Sequence, residues 1–541
     1  MSLLTVENLS LTIGETEILR DIDLTLDGGE ILGIIGESGS GKTMTALSIM
    51  QLLPQGTRSA GSVRLDGREL LTTSEAELCD IRGKSIGMVF QEPMTALNPV
   101  KTIGDQVAET ALVHGRESQA EAMRIARETL NRVGLPEARF PLDRYPHQLS
   151  GGQRQRVVIA MAIALGPRIL IADEPTTALD VTTQGQILTL LQKLVSEDGM
   201  GLILITHDLA VVAGVADRMS IMRAGRVVES GATLEVFGRM QHPYTRALFA
   251  ASSHVPPRHV PPAPKAGEAP VVEVQGVIRD YALPRHTPFE ARQTFRAVDE
   301  VSFVIQRGEN VGLVGESGSG KSTLSRAILA LDPMQGGVIR LDGEVLTAEE
   351  GASRAARRKM QVVFQDPYGS FNPRHKVERL VGEPFHLLPD PPIGPERRRL
   401  VEEALENVGL ASPDADKFIH EFSGGQRQRV AIARALIIRP ALIILDEAVS
   451  SLDVSIRAQI LDLLSDLSGK FQVSYLFIAH DLAVVRAITD RVMVMRAGRI
   501  VEAGLTEDVF NNPQHPYTRQ LIAAAPNLER ALAARRAEAA R

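Results

Sequence analysis

The chain has 541 residues, a formal net charge of -7 and a single cysteine, Cys79. Its length allows two or more domains with sizeable cores, and the acidic balance lacks the basic excess that marks nucleic-acid binding. One cysteine excludes an intrachain disulfide and any cysteine-held metal cluster, an iron–sulfur cluster included.

Taken in chain order, the N-terminus Met1–Asn8 has no basic stretch followed by an apolar core, so no signal peptide is expected. The first buried-strand pattern is Ile31-Leu32-Gly33-Ile34-Ile35. It runs into Gly36-Glu37-Ser38-Gly39-Ser40-Gly41-Lys42-Thr43 and then into a helical pattern. This is G-x-x-x-x-G-K-[ST], a loop whose backbone N–H groups can point at phosphate oxygens while Lys42 reaches the β- and γ-phosphates and Thr43 a magnesium ion. Cys79 reads as a small, half-buried helical side chain. Gln91 follows in Val89-Phe90-Gln91-Glu92-Pro93, and amphipathic helices such as 122–127 precede Leu149-Ser150-Gly151-Gly152-Gln153. Ser150 fits a helix N-cap, which sets a positive dipole end beside the glycines. The apolar run 157–172 is broken by Gly166, Pro167 and Arg168, so it spans no bilayer. If the protein works at a membrane, another chain crosses it.

A second strand pattern, Ile169-Leu170-Ile171-Ala172, ends in Asp173-Glu174-Pro175, followed by Ala178-Leu179-Asp180. Strand side chains alternate, so Asp173 and Glu174 cannot both ligate a metal from one face unless the strand has ended. Leu202-Ile203-Leu204-Ile205 precedes Thr206-His207, and the tail segment His242-Pro243-Tyr244-Thr245-Arg246 follows. Residues 251–270 hold six prolines, which predicts an extended linker reaching at most about 60 Å.

Beyond the linker the whole series returns. Val311-Gly312-Leu313-Val314 leads into Gly315-Glu316-Ser317-Gly318-Ser319-Gly320-Lys321-Ser322, then come Gln365, Phe422-Ser423-Gly424-Gly425-Gln426, Asp446-Glu447, Ser451-Leu452-Asp453, His480 and His515-Pro516-Tyr517-Thr518-Arg519. The offset is 279 at the glycine loop, 274 at the glutamines and 273 at the aspartates and histidines, so insertions are confined to short connections. A chain of this length matches the loop pattern by accident roughly 2% of the time, and two matches in strand-to-helix context are not accidental. The chain is a tandem duplication of one α/β domain.

Five ordered motifs, twice over, resemble the ATP-binding subunits of ATP-binding-cassette transporters. The resemblance implies two tandem P-loop domains, each with a mixed sheet core, an inserted helical subdomain and a C-terminal tail, over residues 1–250 and 271–525, with a linker at 251–270 and a charged tail at 526–541. It implies ATP and Mg2+ as ligands. The metal neighbours would be Thr43, Asp173 and Gln91 in one half and Ser322, Asp446 and Gln365 in the other. Glu174 and Glu447 would polarise the attacking water, and His207 and His480 would contact the γ-phosphate. Each nucleotide would be shared: Lys42 with Ser423, Gly425 and Gln426, and Lys321 with Ser150, Gly152 and Gln153. Tyr281 fits the adenine-stacking aromatic of the second half, whereas the first half has Ile13 there.

The segments 91–99 and 365–373 and the twin His-Pro-Tyr-Thr-Arg tails look like the dipeptide, oligopeptide and nickel importer group. That likeness implies a peptide-import ATPase at the cytoplasmic face of a bacterial inner membrane, two permease partners, an indirect periplasmic solute-binding partner and no nucleic acid. An exporter ATPase and a soluble tandem cassette acting on ribosomes or DNA share the catalytic motifs and stay open at this point.

Overall fold

The computed structural model describes residues 2–91, 96–115, 118–177, 179–258, 269–283, 293–346, 352–366, 369–450 and 452–540. Residues 259–268 of the proline-rich stretch, together with Ala178, Ser451 and parts of both Asn-Pro segments, lie outside them. The chain divides into two compact units. One comprises Met1–Leu179, Thr183–Ser252 and Pro526–Arg541; the other comprises Asp180–Thr182 and Ser253–Ala525.

In the first unit Leu4–Ile13 pairs with both Thr16–Leu26 and Thr57–Leu65, forming an antiparallel sheet. A separate six-stranded sheet has the order Arg226–Ala232, Arg218–Arg223, Ile31–Ile35, Gly201–Thr206, Ile169–Asp173, Ile86–Val89, and is parallel except for its first edge strand. Ile31–Ile35 is buried at every position. Continuous apolar runs are what a parallel strand covered on both faces requires. Leu9, Leu11, Leu19 and Val63 of the antiparallel sheet share a core with Ile34, Ile171, Ile203 and Ile205 of the parallel one. Ala46 and Ile49 of helix Lys42–Met50 join the same cluster, so the helix after the glycine loop is anchored in the core. Each buried Leu, Ile or Val among them contributes roughly 2 kcal/mol, and the Ala46 methyl about 0.8 kcal/mol.

Helices Ile103–Val113, Gln119–Arg132 and Gly151–Ile163 pack on one another as the inserted helical subdomain. Ala122, Ala126 and Leu130 supply the buried face of the middle helix. Helix Leu528–Ala539, in the segment expected as a charged tail, packs against Leu209–Val215 through Leu532. Cys79 lies on helix Glu75–Ile81 as expected, but it is exposed rather than half-buried, because Leu78 and Ile81 take that helix's buried face.

The second unit repeats both sheets, in the orders Thr294–Ile305, Val272–Ala282, Gly336–Leu341, Glu344–Leu346 and Met360–Val363, Leu442–Asp446, Ser474–Ile478, Asn310–Val314, Arg491–Arg496, Arg499–Leu505. Its helical insert is Val377–Val381, Gly394–Asn407 and Gly424–Leu436, again mutually packed.

Candidate nucleotide sites

Each central parallel strand ends in a glycine loop that continues directly into a helix. Gly39 and Gly41 have φ of 74° and 104°, and Gly318 and Gly320 have 78° and 108°. A left-handed backbone favours glycine, and at Gly41 an added Cβ would also lie 2.6 Å from Leu19 Cδ2. Lys42 is only 6% exposed, and its Nζ donates to the carbonyls of Gly36 at 2.7 Å and Glu37 at 2.9 Å. Lys321 repeats this with Gly315 at 2.7 Å and Glu316 at 2.9 Å. Burial pushes the Lys321 ammonium below the usual lysine range against the pull of nearby carboxylates.

The carboxylates stand where strands stop. Asp173 ends Ile169–Asp173, and Glu174 follows with φ 47°; Asp446 ends Leu442–Asp446, and Glu447 follows with φ 51°. The strand has therefore ended before the glutamate, and strict alternation no longer governs the pair. Asp173 is 2% exposed, with Oδ1 lacking a hydrogen-bond partner among the described residues. Burial raises its pKa, opposed by the Thr43 hydroxyl and Lys42 and reinforced by Glu174. Asp446 is pushed up to about 6, first by burial and then by Glu447.

Glu174 behaves oppositely. Burial raises its pKa, but His207, Thr177 and Lys42 together outweigh that and hold it at about 2. His207 Nδ1 lies 3.3 Å from Oε1, while Thr177 Oγ1 donates to Oε2 at 2.9 Å and Gln91 Nε2 at 3.1 Å. In the second unit His480 Nδ1 is 3.5 Å from Glu447 Oε1, and that contact, working against burial, lowers the glutamate's pKa. Within the first unit the structure thus gathers Lys42, Thr43, Gln91, Asp173, Glu174 and His207 into one cluster.

The Ser-Gly-Gly-Gln segments form a separate group. Ser150 Oγ accepts from Gln153 N at 3.3 Å while Gln153 Oε1 accepts from Ser150 N at 3.0 Å, a reciprocal cap repeated by Ser423 and Gln426. Gly152 has a packing reason of its own: a Cβ there would lie 2.2 Å from Thr183 Cγ2, and at Gly425 one would lie 2.5 Å from Ile456 Cγ2. Tyr281 donates its hydroxyl to Asp332 at 3.0 Å, under the Arg279 guanidinium at 4.4 Å from the ring centroid. Ile13 pairs with Thr16 where Tyr281 pairs with Phe295, so the two stand at matching places in the two antiparallel sheets.

Does this set fit a nucleotide and a hard cation? Ser40 and Ser319 are 4% and 5% exposed, with hydroxyls lacking partners among the described residues. A buried ammonium, two unpaired hydroxyls and an unpaired buried carboxylate oxygen are costly unless an anion and a cation complete them. The residues fit both.

Family comparison agrees with the geometry. The model described as ABC transporter matches residues 19–177 and 298–450. The chain belongs to the ABC transporter family. As an ABC ATPase it binds and hydrolyses ATP, and its two cassettes carry the family fold. A second model, oligopeptide/dipeptide transporter, C-terminal region, matches residues 228–273 and 501–540. The glutathione import ATP-binding protein GsiA of Escherichia coli strain K12 is 46% identical over 569 aligned positions, spanning 98% of this chain and 90% of the relative. GsiA of Shigella sonnei gives the same values. Among solved structures, a dimeric post-hydrolysis state of the ATP-binding cassette MJ0796 bound to ADP and Pi is 34% identical, covering 42% of this ABC ATPase and 98% of that chain, with a TM-score of 0.39.

Two groups in these cassettes escaped sequence reasoning. Thr177 reaches Glu174 from three residues away, and only the turn at φ 47° brings them together. Tyr244 accepts from the backbone N–H of Glu37 at 3.2 Å, and Tyr517 from that of Glu316 at 2.9 Å. The duplicated tail motif was visible, but a contact across 207 and 201 residues leaves no local signal.

Proposed function

We propose that this ABC ATPase energises import of small peptides, of the glutathione, dipeptide or oligopeptide class, through separate membrane permeases fed by a solute-binding protein. The observation that carries this reading is the oligopeptide/dipeptide C-terminal region matched at the C-terminal end of each cassette, together with 46% identity to a glutathione import protein along nearly the whole chain. Among the described residues no helix is long and apolar enough to cross a membrane, which suits peripheral attachment through partners at the cytoplasmic face. The cassettes are taken as residues 1–250 and 271–525.

In this reading Lys42 and Lys321 hold the β- and γ-phosphates, aided by loop N–H groups and the hydroxyls of Ser40 and Ser319. Thr43, Asp173 and Gln91, and Ser322, Asp446 and Gln365, would hold Mg2+, which when bound neutralises phosphate charge. Glu174 and Glu447 orient and polarise the attacking water. A carboxylate as acidic as Glu174, while His207 pairs with it, retains a proton poorly. Transfer of His207 from Glu174 to the γ-phosphate removes its strongest stabilising partner, so the carboxylate becomes more basic as the water must be activated. The Ser150 and Ser423 caps, each at the positive end of its helix, are assigned to the triphosphate held by the other cassette's lysine. Closure would then follow ATP binding, since a ligand favours whichever state it binds more tightly.

The transport reading is tested by deleting the chain from its host and following uptake of labelled glutathione, dipeptides and oligopeptides. Loss of at least one uptake, restored by the intact chain and not by Glu174→Gln with Glu447→Gln, is expected. Undiminished uptake of all three discards peptide import. The double variant should also lose at least a hundredfold in ATP turnover while accumulating an ATP-bound closed form detectable by crosslinking the cassettes.

A further inference from the structure

Beside each phosphate loop lies a tyrosine that the catalytic reading leaves without a task. Tyr244 and Tyr517 are 7% and 2% exposed, at the starts of helices Pro243–Ser252 and Pro516–Ala524. Each ring sits under a guanidinium, Arg223 at 4.9 Å and Arg496 at 4.8 Å from the centroids. The preceding turn is fixed by a carboxylate. Glu229 accepts from Gln241 N at 2.8 Å and His242 N at 3.1 Å, and Glu502 from Gln514 N at 2.7 Å and His515 N at 3.0 Å. His242 Nδ1 and His515 Nδ1 then accept from the tyrosine N–H groups at 3.1 Å and 3.2 Å. The hydroxyl is thus delivered by a braced element.

What it reaches is one particular peptide. The N–H of Glu37 and the carbonyl of Gly36 are the two ends of a single planar group. The tyrosine hydroxyl accepts from the first, and the Lys42 ammonium donates to the second. In the second cassette Tyr517 and Lys321 grip the peptide between Gly315 and Glu316 in the same way. The residue that supplies this carbonyl must be glycine, because a Cβ on Gly36 would lie 2.3 Å from the Met222 carbonyl oxygen and one on Gly315 2.2 Å from that of Met495. Rotation of this peptide would turn away the nearer of the two carbonyls that aim the lysine.

We propose that Tyr244 and Tyr517 are positioning residues for ATP binding: each hydroxyl locks the first peptide of its phosphate loop, and so fixes where the loop lysine presents its ammonium. The tail motif of each cassette is therefore part of the nucleotide site without touching the nucleotide. This rests on ATP binding alone and not on the identity of the cargo.

Tyr244→Phe with Tyr517→Phe in the full chain removes only the two hydroxyls. One hydrogen bond of this kind contributes about 1 kcal/mol net, a factor of roughly five in affinity. The KM for ATP should rise about fivefold while kcat changes less than twofold; the unfolding midpoint without nucleotide should fall modestly, and the further shift produced by ATP should shrink. Tyr475→Phe, whose buried hydroxyl has no partner among the described residues, is the control and should leave KM in place. A KM within twofold of the parent in the double variant overturns the proposal, as does a loss of midpoint equal with and without ATP. A chain labelled with 3-fluorotyrosine, its resonances assigned from single Tyr→Phe variants, gives a second reading: both signals should shift on adding ATP, and silence at both positions overturns it.

Discussion

Neutralising Asp446 should make the second cassette more stable while destroying its use. The side chain ends a buried strand, and burial together with the neighbouring Glu447 pushes its pKa from 3.8 up to about 6. The sign follows from proton linkage. With the folded pKa raised, the folded state holds the proton more tightly between roughly pH 4 and 6, so stability falls as pH rises through that window. Above it the full penalty of a buried charge remains. At about 1.4 kcal/mol per tenfold, the penalty is on the order of 3 kcal/mol at pH 7.5 and about half that at pH 5. Asn has nearly the same shape and keeps its place beside the Ser325 hydroxyl, which donates to the Ser322 carbonyl at 3.0 Å. Asp446→Asn should therefore raise the urea midpoint of the nucleotide-free protein in EDTA, by more at pH 7.5 than at pH 5, while ATP turnover at this site is lost. Equal gains at the two pH values, or a loss of stability at pH 7.5, would refute the electrostatic reasoning.

Two further substitutions test particular contacts. Gly152→Ala should destabilise by about 1–3 kcal/mol, since the new methyl meets Thr183 Cγ2 at 2.2 Å, and Thr183→Ala should restore most of the loss in chemical denaturation; failure of that rescue would mean the glycine serves something other than packing. Ile13→Tyr should tighten ATP binding at the first cassette by a factor of roughly two to ten, the worth of an aromatic stacking contact, read by equilibrium titration of the hydrolysis-blocked chain; unchanged affinity discards Ile13 as the adenine position.

Much of this was legible in the chain because the relevant signals are local. The glycine loop is contiguous, so eight residues announce strand, loop and helix together. Ser150 and Gln153 are three residues apart, and the reciprocal cap they form is implicit in that spacing. Duplication did the rest, turning weak signals such as a lone histidine after an apolar strand into matched pairs. What stayed hidden depends on long-range packing or on a single dihedral. The left-handed backbone at Glu174 cannot be read from Asp-Glu-Pro, yet it frees the glutamate from strand alternation. Gly152 looked like a phosphate contact, whereas a neighbouring helix also demands that it lack a side chain. Cys79 was expected half-buried because helix period alone does not say which arc faces the core. Tyr244 belonged to a recognised motif, but its target lies at the opposite end of the cassette sequence.

The last helix has a practical corollary for anyone trimming or tagging this protein. Although Leu528–Ala539 is encoded after the second cassette, it is counted in the first unit, where Arg535 lies 3.5 Å from Asp217 Oδ1 and the other oxygen of that carboxylate accepts from Ile31 N at 2.9 Å. Ile31 opens the strand that feeds the first glycine loop. Truncation after Ala525, or a bulky fusion at the carboxyl end, is thus an operation on the amino-terminal ATPase, and damage from such an edit should surface first in the half of the sequence that was never touched.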